Sequence, residues 1–359
     1  MSQQECKYTS SKSGICYNMF QEKDDIKYDT AEILRSDLIQ SSITVKILPL
    51  GDINLFFQKA IQPPPPSSIS HAIACLQQIK ALDNDNNLTI FGHFLSRVPM
   101  DHRNATMLLY GIVFSCLHPL IVIACFDELK PFIYTNKRKA MWKRRPMSHY
   151  ELYELYQQYS RKFPVSLRDS FCRKHHLSIQ VMSEIDLMTV KIMKNLKDMN
   201  CVISNCVTHP MHNINSHIKT LVGALIFASH PDHLFKSENR TGAYTVQSKF
   251  NVKVDHNPQF EIGSYYVFSS GILFHGVIHT SSFSRLSPMQ LIFFSDDQNE
   301  IFFDSLSKLG IASYLSELKT IRSGLHDLVT NKKENPSSIA LSKSSLLVEL
   351  IVRLFSKMG

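Results

Sequence analysis

Six cations fall within nine residues of one segment, KRKAMWKRRP at 137–146: Lys137, Arg138, Lys139, Lys143, Arg144 and Arg145 surround Trp142, the only tryptophan of the chain. Cations at that density neutralise phosphates, and an indole among them can stack on a base. A solvated charged loop is the alternative for the same residues. Three smaller groups pose the same choice. His149 lies in Ser148-His149-Tyr150-Glu151, an S-x-x-E capping box, where capping and packing compete with nucleic-acid contact. Arg173 and Lys174, followed by His175 and His176, stand at a helix junction. Lys249 and Lys253 alternate with apolar residues around NVKVD, the pattern of a strand with one wet face.

Other chemistries find less support. No serine–histidine–carboxylate set and no carboxylate pair is marked by local spacing, and none of the 16 histidines reads as catalytic. The eight cysteines, at 6, 16, 75, 116, 125, 172, 201 and 206, form no CxxC and several sit in apolar runs such as FSCLHPLIVIACF. Buried reduced thiols of an intracellular protein are therefore expected. Cys201, Cys206, His209 and His212 lack the paired spacing of a zinc finger or ribbon, so no metal is expected. The formal charge of +8 suits an anionic partner such as nucleic acid. The longest apolar run, Ile112 to Phe126, is broken by Ser115, His118 and Pro119 and is too short to span a bilayer. A soluble, cytoplasmic protein is expected, with the nucleus as the other possible location and no membrane partner.

The elements that must carry these side chains are legible in outline. Ile33, Leu34 and Leu38 suggest a helix, and Ile43, Val45 and Ile47 an extended piece. PPPPSS at 63–68 is a break, with Ser67 or Ser68 as N-cap of the helix ISHAIACLQQIKAL. DNDNN at 83–87 is a turn before a short strand and a helix in LTIFGHFLSRVPMD, the order of a winged helix. From Ala105 to Phe126 the pattern is helical. Ser178 caps a helix with Met182, Ile185, Thr189, Ile192 and Leu196 inward. After one more helix, SHIKTLVGALIFASHPD, come the β-rich runs AYTVQ, NVKVD, SYYVFSSGILFHGVIHT and MQLIFFS, which suit a small OB-type barrel. IASYLSELKTIRSGLHDLV and SSLLVELIVRLF return to helix.

Several of these stretches resemble the C-terminal half of the DEAH/RHA family of RNA helicases. They are EILR at 32–35, LPLGDINLFFQKAIQPP at 48–64, ALDNDNNLTIFGHFLSRVPMDHR at 81–103, MLLYGIVFSCLHPLIVIA from Met107, and LSPMQLIFF at 286–294. HNINSHIKTLVGALIFASHPD is similar to the subgroup of G-quadruplex-resolving and YTH-domain helicases. The resemblance implies a mixed α and β, multidomain chain. Its parts would be the remnant of a second RecA-like domain (1–40), a winged helix (41–104), a ratchet-like helical bundle or helicase-associated domain (105–205), an OB-fold (216–305) and a C-terminal helical extension (306–359).

In that family a strand like GICYNM follows motif VI, QRxGRxGR. Counting back from Gly14 puts Gln3 on the glutamine and Gln4, Lys7 and Ser10 on the three arginines. The motif is nearly erased. An arginine finger is worth on the order of 10³–10⁵ in rate, and Lys7 lacks the planar fork that grips phosphate. The 359 residues also hold no GxxxxGK[ST] and no DExH. No cofactor is expected in this chain, and ATP with Mg would require an intact motor upstream. DHNP at 255–258 departs from the family's histidine-proline-x-serine. The expectation is an ATPase-deficient chain that binds single-stranded or structured RNA and protein partners, as an adaptor in post-transcriptional or translational control. The alternative is the C-terminal fragment of an active ATP-dependent helicase that unwinds RNA 3′–5′ or resolves G-quadruplexes.

Overall fold

In the computed structural model the described residues are 30–132, 147–162, 165–254, 259–295, 300–337 and 345–357. They include neither the GICYNM stretch and the motif VI positions Gln3, Gln4, Lys7 and Ser10, nor DHNP at 255–258. The basic segment with Lys137, Arg138, Lys139, Trp142, Lys143, Arg144 and Arg145 also lies outside them. The chain divides into two compact units, Met1–Ile79 and Lys80–Gly359. The division falls inside the segment 41–104.

The first unit contains α1 (Ile39–Ile47), α2 (Ile53–Gln58) and α3 (Pro66–Gln78), packed on one another. Ile43, Val45 and Ile47 were expected to be extended, but they lie in α1. Ile39, Ser42 and Ile43 are buried at the i, i+3, i+4 spacing of a helix face, while Ile47, which a strand would bury alongside Ile43 and Val45, is exposed. Asp52 caps α2 by accepting from the Leu55 amide at 3.0 Å. The cap expected at Ser67 or Ser68 is also corrected. α3 starts earlier, at Pro66, with Pro65 as the N-cap residue; a proline in the first turn loses no intrahelical bond.

The second unit begins with a tight hairpin closed by a bridge between Leu82 and Leu88, then α4 (Ile90–Arg97), α5 (His102–Val113) and α6 (Leu117–Leu129). The helical run from Ala105 to Phe126 is two helices, because Ser115 takes a positive φ of 48° between them. α6 is buried nearly all round, from Leu117 to Phe126 with only His118 half-buried, as befits the central rod of a bundle. It packs against α5, α7 (His149–Ser160) and α9 (Ile179–Asp198), while α8 (Val165–His175) leans on α7 and α9. Ser148 forms the expected capping box with Glu151, and Ser178 caps α9 through the Val181 amide.

α10 (Lys219–Ser229) joins bundle to sheet. It contacts α5, α6 and α7 on one side and β4 and β7 on the other. The sheet has seven strands: β1 (Leu234–Ser237), β2 (Ala243–Thr245), β3 (Asn251–Val254), β4 (Tyr265–Val267), β5 (Ile272–Phe274), β6 (Val277–Thr280) and β7 (Ser284–Leu286). Their order is β5-β6-β3-β2-β1-β4-β7, antiparallel throughout except for the parallel pair β3–β6. One face buries Phe235, Ala243, Val252, Val254 and Tyr266 with Phe260 and Phe268.

LSPMQLIFF was expected to be the last strand. Only its start belongs to β7, and Pro288–Phe294 forms α11. Ser287 and Gln290 make a reciprocal capping box with Pro288 in the first turn, and these start signals outweigh the β propensity of the apolar run. α12 (Glu300–Leu309), α13 (Leu315–Glu334) and α14 (Ser345–Ser356) complete the unit.

Candidate nucleic-acid interface

Lys253 belongs to a strand whose burial alternates, Asn251 and Lys253 outward and Val252 and Val254 inward. Cross-strand register extends the outward face. Asn251 stands opposite Tyr244 of β2 and Val277 of β6, and Lys253 opposite His279. His279 in turn faces Ile272, and Val277 faces Phe274, both on β5. Lys249, exposed in the turn before β3, holds its Nζ 5.1 Å from the centre of the Tyr244 ring. Neither lysine is ion-paired with a described residue. The two lysines named from sequence therefore share one patch, and the structure adds Tyr244, Phe274 and His279 to it.

Sequence reasoning missed Phe274, although a signal was present. The pair His275-Gly276 between two apolar runs takes positive φ at both residues, 47° and 75°. Such a two-residue turn makes a tight hairpin with Phe274 at its closing pair. Ile272, Leu273 and Phe274 are 60%, 56% and 61% exposed. Phe274 is thus held on regular structure yet left in solvent.

Arg173 and Lys174 are a separate pair. Both are exposed in the last turn of α8, where Arg173 pairs with Asp169 one turn back. Phe132, the last described residue before the basic segment, bridges to Leu177 just beyond them, and the Ser178 amide donates to the Pro131 carbonyl at 2.9 Å. At the segment's other end Met147 bridges to Ser282, between β6 and β7.

His149 has no surface to offer. It is 0% exposed, with Nδ1 2.8 Å from the Ser284 hydroxyl and Nε2 2.9 Å from that of Ser269. Burial pushes its pKa down to about 3, so the ring is neutral. It pins the start of α7 to the sheet, which is the capping-and-packing role. Nearby, burial pushes the Asp127 carboxyl up to about 7 despite the Ser269 hydroxyl, and its Oδ2 has no hydrogen-bond partner. Among the described residues no group of three or more His, Cys, Asp or Glu could hold a metal ion.

Two of the stretches that carried the resemblance lie in the second unit and tie its parts together. In ALDNDNNLTIFGHF, Asp83 accepts from the Asp85 and Asn87 amides at 2.9 and 2.8 Å. Thr89 caps α4 and donates to the Lys80 carbonyl at 2.7 Å. Gly92 is required because a Cβ there would lie 2.3 Å from the Ala81 carbonyl oxygen. In HNINSHIKT, the Asn213 amide is satisfied on both sides, accepting from the His118 amide at 2.7 Å and donating to the Val207 and His209 carbonyls. Asn215 donates to the Phe114 carbonyl at 2.7 Å. At the far end of α10, Asp232 takes a two-pronged bond from Arg103 at 2.7 and 3.3 Å. Burial opposes ionisation of Asp232, but His233 and Arg103 outweigh it and lower its pKa.

Relatives resemble this chain in sequence over most of its length. The DExH-box ATP-dependent RNA helicase DExH3 of Arabidopsis thaliana is 26% identical over 353 residues, 90% of this chain and 29% of its own. Human ATP-dependent DNA/RNA helicase DHX36 is 25% identical over 361 residues, 91% of this chain and 36% of its own. The chain is a homologue of the DExH-box RNA helicases. The chloroplastic DExH4 of Arabidopsis thaliana reaches 39% identity over 131 residues, 35% of this chain and 9% of its own. The chain spans about a third or less of the curated relatives it matches, consistent with the expected C-terminal DEAH/RHA region. No family model matches it. No described helix is long and apolar enough to cross a membrane.

Proposed function

We propose that this chain is an RNA-binding region of a DEAH/RHA helicase-like protein in which nucleotide hydrolysis has been lost. It would serve as a cytoplasmic, or alternatively nuclear, adaptor between messenger RNA and proteins that control its translation. Within it, residues 41–104 act as a winged helix and 216–305 as an OB-like domain. The observation that carries RNA binding is the homology to enzymes named as RNA helicases over 90% of the chain. The exposed cations add to it: Arg173 and Lys174 close in sequence to the Phe132–Leu177 bridge, Lys253 on β3 and Lys249 in the turn before it. Loss of hydrolysis rests on the motif VI alignment, in which Gln4, Lys7 and Ser10 replace three arginines.

A second reading keeps the motor. The relatives are named ATP-dependent, and the chain matches only about a third of their length. On that reading it is the C-terminal part of a working helicase. RNA-stimulated ATP hydrolysis by the full-length gene product separates the two. The adaptor reading expects none, and turnover would end it. RNA binding itself is tested with labelled oligouridylate over a salt series: affinity should fall steeply as salt rises. Replacing Lys143, Arg144 and Arg145 together by Ala should flatten that slope by about 2 and leave the melting temperature unchanged. Salt-independent binding, or none, would refute the reading.

A further inference from the structure

The outward face of the sheet is covered at one end and bare at the other. Over β4 and β7, α10 and α12 close it: Leu286 is 3% exposed, and Tyr265 is buried beneath Lys236 and Lys308. Over β2, β3, β6 and β5 the same face carries Tyr244, Asn251, Lys253, His279 and Phe274, all partly or fully exposed, with Lys249 lying on Tyr244. No described residue on this part of the face is acidic. Three inter-strand steps separate Tyr244 from Phe274, roughly 14 Å.

We propose that this bare face seats a short unpaired stretch of RNA. Phe274 stacks on a base, Lys249 and Lys253 meet neighbouring phosphates, and Asn251 and His279 offer hydrogen bonds between them. The proposal rests on the reading of the chain as RNA-binding and names where and in what form the RNA lies. Three features of the face select the occupant. Its cations have no acidic partner among the described residues, so a polyanion is the complementary ligand. Its aromatic ring is held at a tight turn and left in solvent, which matches the stacking platforms of single-strand binders. A duplex keeps its bases stacked inward, out of reach of a flat sheet. A protein partner would more naturally meet the uncharged edge of β5, and a second copy of the chain is the competing occupant.

The test uses the full chain with a labelled oligouridylate and a duplex of equal length. Phe274→Ala should weaken single-strand binding about tenfold and leave the salt slope unchanged, since a stacked base contributes without releasing counterions. Phe274→Tyr should restore it, and duplex affinity should not move. The double variant Lys249→Ala/Lys253→Ala should reduce the salt slope by about 1.4, two phosphate contacts on a single strand. Circular-dichroism melts should show all variants folded as the parent. Wild-type single-strand binding from Phe274→Ala would overturn the platform and leave RNA binding intact. Loss of self-association from the same variant in sedimentation, with RNA binding unchanged, would assign the face to a second copy instead. No RNA binding by the parent would end both readings.

Discussion

The two ends of one sheet face use the same chemistry to different effect. At the covered end Tyr265 is buried, its hydroxyl 3.3 Å from Asp304 Oδ2, with Lys236 and Lys308 over its ring at 5.1 and 5.3 Å. At the bare end Lys249 lies over Tyr244 at the same 5.1 Å, yet no described helix closes above it. A lysine on an aromatic ring is thus not a functional signal by itself. What separates the ends is the acid: Asp304 on α12 pairs with Lys308 at 3.0 Å and turns that cation into packing. Lys249 and Lys253 meet no described counterpart.

The comparison can be broken most directly by truncating one aromatic at each end. Tyr265→Ala should cost about 3 kcal/mol in urea unfolding, the range for emptying a large buried site. Phe274→Ala should stay within about 0.5 kcal/mol, as for an exposed side chain. Equal losses would mean that β5 is buried in solution and that the bare face is closed.

Between bundle and sheet, His149 and Asp127 make a second contrast, read through pH. His149 has its folded pKa depressed to about 3 from an ordinary 6.5. Its contribution is therefore full above pH 6.5 and is lost as pH falls toward 3. Asp127 is raised to about 7 from 3.8, so its contribution is full below pH 3.8 and is lost as pH rises through 7. Asp127→Asn should raise the melting temperature at pH 8 and leave it unchanged at pH 4. His149→Leu should flatten the acid limb while costing about 2 kcal/mol at neutral pH, because Ser269 and Ser284 lose their partner. Melts that respond to neither change between pH 4 and 8 would show that this junction is wet.

The covered framework was legible in the chain because its signals are local. Ser148 and Ser178 announce α7 and α9, and the periodicity of Met182, Ile185 and Ile192 gives the face that α9 buries. The bare face was half legible. Alternation around NVKVD predicted Lys253 outward, but no local pattern says that β5 pairs with β6 and β6 with β3. That register alone brings Phe274 and His279 beside the lysines. The roles of Asn213, Asn215 and Gly92 were hidden for the same reason, since each serves a residue distant in sequence or a close approach that only the packing creates. His149 was legible as a cap neighbour, while its two serine partners lie 120 and 135 residues away. α11 was misread because an apolar run of strand length carries no period that excludes a helix.

The finest test exchanges the lysines of the two ends. Lys308→Ala removes a half-exposed i,i+4 pair with Asp304 and should cost about 0.5 kcal/mol of stability, with no effect on RNA affinity. Lys253→Ala should do the reverse, leaving stability within error and lowering the salt slope of single-strand binding by about 0.7. The two effects are small, but they lie on different axes, so a double variant should show both without coupling. A salt slope that moves with Lys308 would mean that the anion reaches across the sheet to α12. The boundary between packing and binding would then fall one strand further on than Asp304 implies.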